Sequence, residues 1–151
     1  MLSRGIISGG LFLAAIALIP IPLAAADKVQ SVRTQSGKVR CEVFANDIGH
    51  GGGPVVVCQQ TGAAPFPQAP MSAQYGTQMN LAVVRPNGAL TWDIGNIPGS
   101  DQALASDIVL DYGQTYHING WTILPTFDGT RFTSDATGHG MFVSIDNVYS
   151  Y

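Results

Sequence analysis

Three histidines are the residues of this sequence with the clearest capacity for chemistry. His50 and His139 each lie between two glycines, and His117 lies in a segment that alternates like a strand. Three imidazoles can hold a zinc ion and leave a fourth position open. However, His50 belongs to the first hairpin and His139 to the last, and nothing in the sequence brings them together. We therefore predict no metal site, no cofactor and no catalytic residues.

One loop near the C-terminus is a candidate site. It contains Asp135, Gly138, His139 and Gly140. The two glycines free the backbone on both sides of the histidine, which suits a tight turn or the close approach of a partner. We predict that the loop is mainly structural and that a positive φ at Gly140 sets the register of the next strand. The alternative is a small hydrolase that uses His139 or His117 with an aspartate.

Motifs of common enzyme classes are absent from the sequence. It contains no Gly-x-Ser-x-Gly, no His-Glu-x-x-His and no phosphate-binding Gly-Lys-Ser/Thr. Asp128 and Asp135 flank a predicted strand, where aspartates form turns more often than acid–base pairs. Glu42 is the one glutamate, and because it alternates away from Cys41 we predict that it is solvated.

The two cysteines predict a disulfide between Cys41 and Cys58. Residues 38–44 and 55–60 both look like strands, and a glycine-rich turn joins them. If the strands pair antiparallel with the cysteines opposite each other, Val43 lies opposite Val56 and the apolar residues share one face. Directly opposed residues have Cβ atoms close enough for a disulfide. A metal site is the weaker interpretation, because no histidine stands at ligand spacing.

Residues 1–26 have the organisation of a cleavable export signal. Arg4 is their only charge, an apolar run follows at residues 11–19, and three alanines end the segment. The run is shorter than the roughly 20 residues that span a bilayer, which favours a signal peptide over a membrane anchor. We predict cleavage after Ala26, a single secreted domain over residues 27–151, and no membrane span in it.

The mature chain is acidic. Its six Lys and Arg and its ten Asp and Glu give a net charge of −4, and the basic residues form no cluster. Binding to nucleic acid, or to an anionic membrane by charge, requires a basic patch. The composition therefore disfavours both partners and leaves an unidentified protein or cell-wall ligand.

Short apolar runs between turn residues predict a mostly β domain. A Pro-Asn-Gly turn at residues 86–88 joins two strands, and an Asn-Gly turn at residues 119–120 joins two more. The proline-rich segment at residues 61–78 is predicted to be a long loop between two hairpins. Residues 101–110 form either one short helix or a loop that leads into a strand. We expect six or seven strands in an antiparallel sandwich or a small barrel.

Five segments, spread over most of the mature chain, carry a resemblance. They are residues 36–43, 56–58, 112–116, 120–123 and 137–144. Together they resemble small secreted actinobacterial proteins, especially mycobacterial ones, of uncharacterised function. The resemblance implies export and a bonded pair of cysteines, and it implies no activity.

Three hypotheses for the function follow. The first is a non-enzymatic binding or structural module that acts in the cell envelope or the extracellular medium. The second is the small hydrolase described above. The third is a carbohydrate-binding module that uses exposed Trp121, Tyr149 or Tyr151. A convergent pocket of histidine and aspartate would favour the hydrolase, whereas exposed coplanar rings would favour sugar binding.

Overall fold

The structure is a computed structural model that describes residues 28–151. The predicted signal and its cleavage point lie outside the described residues. Within residues 28–151 the chain forms eleven strands, one α-helix and one 3₁₀ helix, so the domain is mostly β as predicted, with more strands than expected. In this part of the chain no helix has the length and apolar character needed to cross a membrane.

The first sheet is formed mainly by the N-terminal half of the domain. Its strands are β1 (Val29–Thr34), β2 (Val39–Phe44), β3 (Val55–Gln60), β4 (Leu81–Val84), β5 (Leu90–Asp93) and β6 (Ile108–Leu110). The order is β5-β4-β3-β2-β1-β6. All neighbours pair antiparallel except β6, which runs parallel to β1. A single long-range pairing therefore adds the last strand to a sheet that is otherwise built from neighbouring strands in chain order.

The second sheet is a meander of the five C-terminal strands. These are β7 (Tyr116–Ile118), β8 (Trp121–Thr126), β9 (Gly129–Ser134), β10 (Gly140–Val143) and β11 (Val148–Ser150), in the order β11-β10-β9-β8-β7. The Asn-Gly turn between β7 and β8 places Ile118 opposite Trp121, which confirms the predicted register. Consecutive short turns bring each strand back beside its predecessor, and the sheet therefore needs no crossover.

The two sheets pack face to face and form a β-sandwich. One buried cluster includes Val32 and Val56 of the first sheet and Trp121, Phe132 and Met141 of the second. Every second side chain of a strand points to this inner face, because side chains alternate along a strand. Within the described residues each sheet keeps two open edges. Of the two predicted architectures, the sandwich is therefore the one that forms.

Cys41 and Cys58 form the predicted disulfide. They lie directly opposite each other on β2 and β3, with Cα atoms 4.1 Å apart. Val43 lies opposite Val56, as the apolar alternation predicts. Both cysteines are buried in the core between the sheets. The bond therefore fixes the pairing of the two central strands.

The segment between β5 and β6 covers the outer face of the first sheet. Ile97 packs against a second apolar cluster on that face. Residues 101–110 contain both of the predicted alternatives, because helix α1 (Asp101–Ala105) is followed by β6. Arg40 holds this segment by donating two hydrogen bonds, of 2.7 and 2.8 Å, to the buried carboxylate of Asp107. The hydrogen bond to Asp107 raises the pKa of Arg40.

Glu42 lies on the same covered face. It is half-buried, so the prediction that it is solvated is wrong. The reason is that residues after β5 fold back over the outer face, which the alternation of β2 alone does not indicate. Burial raises the pKa of the Glu42 carboxyl, and the nearby positive charge of Arg40 offsets part of that rise.

Candidate functional site

A cleft of about 250 Å³ opens between the two sheets at one end of the sandwich. The β1–β2, β8–β9 and β10–β11 turns surround it, and we call it the inter-sheet cleft. Its buried lining consists of Val39, Thr130 and Val143, which come from both sheets. The cleft therefore leads from the solvent to the edge of the core.

Phe127 and Tyr112 provide the aromatic lining of the inter-sheet cleft. Their ring centroids are 6.1 Å apart and their planes meet at 72°, an edge-to-face arrangement. Phe127 lies in the turn between β8 and β9, and 87% of its surface is exposed. Leaving such a ring in water forgoes roughly 1.5–3 kcal/mol of burial free energy. A partner that covers the ring would recover part of it.

The hydroxyl of Thr130 is the second unusual feature of the inter-sheet cleft. Thr130 is only 1% exposed, and its Oγ1 has no hydrogen-bond partner among residues 28–151. A buried hydroxyl without a partner costs about 1–3 kcal/mol. The indole nitrogen of Trp121 is also unpartnered, but that residue does not line the cleft. The oxygen itself has almost no accessible surface, so a ligand in the cleft reaches this polar group only when the side chains around it move aside.

Charged side chains also line the inter-sheet cleft. They are Lys38 from the end of the β1–β2 turn, Asp128 beside Phe127, and Asp146 from the β10–β11 turn. Within the described part of the chain none of the three forms a salt bridge. Two carboxylates and one ammonium group therefore remain available to a ligand, with a net charge of −1 from these three groups.

His50 does not reach the inter-sheet cleft. It lies in the β2–β3 connection, where its Nδ1 is 2.5 Å from Asp47 Oδ2 and its Nε2 is 3.2 Å from Asp93 Oδ2. Both ring nitrogens therefore face carboxylate oxygens, and neither is free for a metal or a substrate. This arrangement ties the connection to strand β5.

His117 lies on the outer face of the second sheet in a row of polar side chains. Thr122 Oγ1 donates to Asp135 Oδ1 at 2.6 Å and lies 3.1 Å from His117 Nδ1. Because the threonine gives its one proton to the carboxylate, the histidine must donate to the threonine oxygen. In a hydrolytic triad the imidazole stands between the hydroxyl and the carboxylate. Here the imidazole of His117 stands at the end of the row and donates to the threonine oxygen. It therefore cannot take the proton of the Thr122 hydroxyl.

The candidate loop site lies at the opposite end of β9 from the inter-sheet cleft. His139 Nδ1 is 3.1 Å from the Tyr151 carbonyl oxygen, and Thr137 Oγ1 donates to the Pro86 carbonyl oxygen. Asp135 points instead to Thr122. The loop therefore docks against the β4–β5 turn and the C-terminal strand, and its histidine and aspartate side chains bond to different groups.

Gly140 is required for a different reason from the one predicted. Its φ lies outside the left-handed region, whereas Gly138 has a φ of +77°. A Cβ at Gly140 would lie 1.9 Å from the carbonyl oxygen of Phe132 on β9. The close approach of the neighbouring backbone, rather than a positive φ, therefore excludes a side chain there.

The three histidines are held in separate parts of the sandwich by the partners described above. Among residues 28–151, no three His, Cys, Asp or Glu side chains are grouped so that they could hold a metal ion. Asp128 and Asp135 lie at opposite ends of the six-residue strand β9, on the order of 20 Å apart. They therefore cannot act together on one substrate.

The aromatic residues expected to form a sugar platform lie elsewhere than predicted. Trp121 is fully buried in the core, so its predicted exposure is wrong. Tyr149 is 44% exposed and stacks on Phe142 at 5.0 Å, on the outer face of the second sheet. Tyr151 is half-buried and lies against Arg131. The most exposed ring in the described residues is Phe127, which was not among the predicted aromatic residues.

One signal in the sequence could have identified the cleft. Phe127 and Asp128 form the two-residue connection between β8 and β9, since Thr126 pairs with Gly129. A large apolar residue in a tight turn has no neighbours to bury it, so it is exposed unless something binds there. Comparison with known proteins adds no further site: no family model, curated protein or solved structure matches the chain.

Proposed function

We propose that the protein is exported and acts as a non-catalytic binding module in the cell envelope or the extracellular medium, with its ligand in the inter-sheet cleft. The observation that carries this proposal is the unpartnered hydroxyl of Thr130 in a cleft lined by Phe127. The unpartnered hydroxyl destabilises the folded protein, whereas the exposed ring contributes no burial free energy to it. A ligand that covers the ring gains its burial free energy, and one that also displaces the side chains over the hydroxyl and bonds to it removes the cost of that group.

The arrangement of the histidines supports binding rather than catalysis. A general base needs a free nitrogen within hydrogen-bond reach of the proton that it abstracts. His50 has both nitrogens engaged, and His117 ends its polar row. None of the histidines lines the inter-sheet cleft. The hydrolase hypothesis therefore has no arrangement of groups to support it within residues 28–151.

Export is supported by two observations that are independent of the cleft. The Cys41–Cys58 disulfide is typical of oxidising, extracytoplasmic compartments. The first 26 residues have the charge, apolar run and alanines of a cleavable signal. The resemblance to secreted actinobacterial proteins carries the same expectation of export and suggests the cell wall as a source of ligand.

Co-sedimentation with purified actinobacterial cell walls tests the proposal. We expect the secreted protein to sediment with the walls and Phe127→Ala to lose most of this binding. The matched control is Ile48→Ala, because Ile48 is 70% exposed and lies at the other end of β2 from the cleft. The proposal is wrong if the protein stays in solution, if both variants bind equally, or if the protein degrades the walls.

A further inference from the structure

We propose that the ligand of the inter-sheet cleft is a single uncharged sugar ring, either free or at the end of a glycan chain. This inference rests on the proposed function and specifies the chemistry of its ligand. It follows from four properties of the cleft: its aromatic wall, its acceptors, its charge and its size.

The aromatic wall fits the apolar face of a saturated ring. Tyr112 meets Phe127 edge to face, so at least one face of the Phe127 ring remains open to solvent. The face of an aromatic ring carries partial negative charge and attracts polarised C–H groups. The C–H face of a pyranose has this character, because each carbon also bears an oxygen.

The polar groups fit the hydroxyls of such a ring. The carboxylates of Asp128 and Asp146 accept hydrogen bonds only, and neither takes part in a salt bridge among residues 28–151. The Lys38 ammonium group can donate from the cleft wall, and the buried Thr130 Oγ1 can donate once the side chains over it move aside. A ligand that satisfies all of them must offer several donors and acceptors around one apolar face, which is the pattern of a sugar.

The charge and the volume of the inter-sheet cleft narrow the class of ligand further. With two carboxylates against one ammonium group, the inter-sheet cleft repels an acidic ligand such as a uronate. Its volume of about 250 Å³ lies below the roughly 300–1,000 Å³ of sites for drug-sized ligands. One ring fits, and the rest of a longer chain must remain in solvent. So small a contact implies weak binding, with a dissociation constant of about 1 mM.

An NMR titration of the ¹⁵N-labelled secreted protein tests this inference. The probes are methyl glucoside and N-acetylglucosamine as neutral sugars, and glucuronate as the acidic comparison. We expect saturable shifts in the backbone amides of Phe127, Gly129 and Asp146 with at least one neutral sugar, and weaker binding of glucuronate. Phe127→Ala should weaken binding at least 10-fold. Tyr149→Ala should leave it unchanged, because Tyr149 lies outside the cleft.

The possible failures can be told apart. If neither neutral sugar causes shifts at 100 mM, or if glucuronate binds more tightly, the ligand class is wrong. If the protein nevertheless sediments with cell walls and Phe127→Ala does not, the proposal of a binding module is still supported. Loss of that sedimentation after protease treatment of the walls would identify a protein partner. If Tyr149→Ala rather than Phe127→Ala abolishes sugar binding, the site is the outer face of the second sheet. If there is neither sugar binding nor sedimentation, both proposals fail.

Discussion

Replacing Gly140 with alanine should destabilise the sandwich strongly, because the added methyl group has no room. A Cβ would lie 1.9 Å from the carbonyl oxygen of Phe132 and 2.9 Å from its carbon, whereas real Cβ contacts below 3.0 Å essentially do not occur. The atoms in the way belong to the backbone of β9, which cannot rotate aside as a side chain can. Strands β9 and β10 must therefore separate by about 1 Å at this point.

The cost follows from what that separation disturbs. Ser134 N donates to His139 O at 2.8 Å on the β9 side, and Gly140 N and O bond to Tyr151 on the opposite side at 2.9 and 3.1 Å, so a shift of Gly140 away from β9 strains those bonds as well. Each such bond contributes about 0.5–1.5 kcal/mol net. Overpacking costs about 1–3 kcal/mol, while the stiffer unfolded chain returns about 0.4–1 kcal/mol. We expect a loss of about 2–4 kcal/mol, or roughly 10 °C in melting temperature.

Thermal and urea unfolding of three variants separates the possible reasons for the glycine. Gly138→Ala introduces strain at a φ of +77° but no contact within 4 Å, so it should cost only about 1–2 kcal/mol. His139→Ala removes one exposed hydrogen bond and should cost about 1 kcal/mol or less. If Gly140→Ala melts within a few degrees of the parent protein, or if Gly138→Ala is the more damaging, our explanation of the loop is wrong.

Three further predictions concern the chain outside the cleft. The unfolded, unreduced protein should show no free thiol, because Cys41 and Cys58 are bonded. Two reactive thiols would contradict the disulfide. We assign about 3 kcal/mol of stability to this bond. Glu42→Gln should stabilise the fold at neutral pH, because the pKa of Glu42 is raised above its ordinary 4.5. Between the ordinary and the raised pKa the folded state keeps a proton that the unfolded state has lost. The stability of the parent protein therefore falls as the pH rises through that range. The gain should vanish in acid, below the ordinary pKa, and equal unfolding curves for both proteins at pH 7 would count against the assignment. Mass spectrometry of secreted material should find a start within a residue or two of Asp27, whereas an intact N-terminus on a membrane-bound product would reveal an anchor.

Local patterns predicted the hairpins well. The alternation of apolar residues placed Cys41 opposite Cys58, and the Asn-Gly turn placed Ile118 opposite Trp121. Both registers depend on residues close together in the chain, and a shift of one residue would turn each strand's apolar face to water. Such pairings are therefore encoded within a short segment.

Features that depend on distant parts of the chain were not predicted. The parallel pairing of β1 with β6 joins segments more than 70 residues apart. The half-buried Glu42 has Asp47 and Asp107 nearby, which belong to other segments of the chain. The need for glycine at residue 140 has a nearer source, the backbone of Phe132 on the preceding strand, but it depends on how closely the two strands approach and not on a residue type. No residue type or spacing near these positions records the element that later packs against them.

The candidate site was predicted least well, for a related reason. The predicted site was a loop because it contains a histidine, a residue type with evident chemistry. The inter-sheet cleft instead combines three turns with a hydroxyl on the inner face of a strand. Thr130 resembles any other strand threonine in the sequence, and only the packed sheets show that its Oγ1 is buried without a partner. The exposed position of Phe127 in a two-residue turn was the one visible indication.

The most direct test of the binding module is Thr130→Val, measured for stability and for cell-wall binding in the same preparation. The substitution replaces an unpartnered buried hydroxyl with a methyl group of similar shape, so the free protein should become more stable by about 1 kcal/mol or more. Binding should weaken, because the ligand loses the hydrogen bond that the proposal assigns to this hydroxyl. A variant that is more stable and binds as well as the parent, or one that is less stable, would contradict the central role of the inter-sheet cleft.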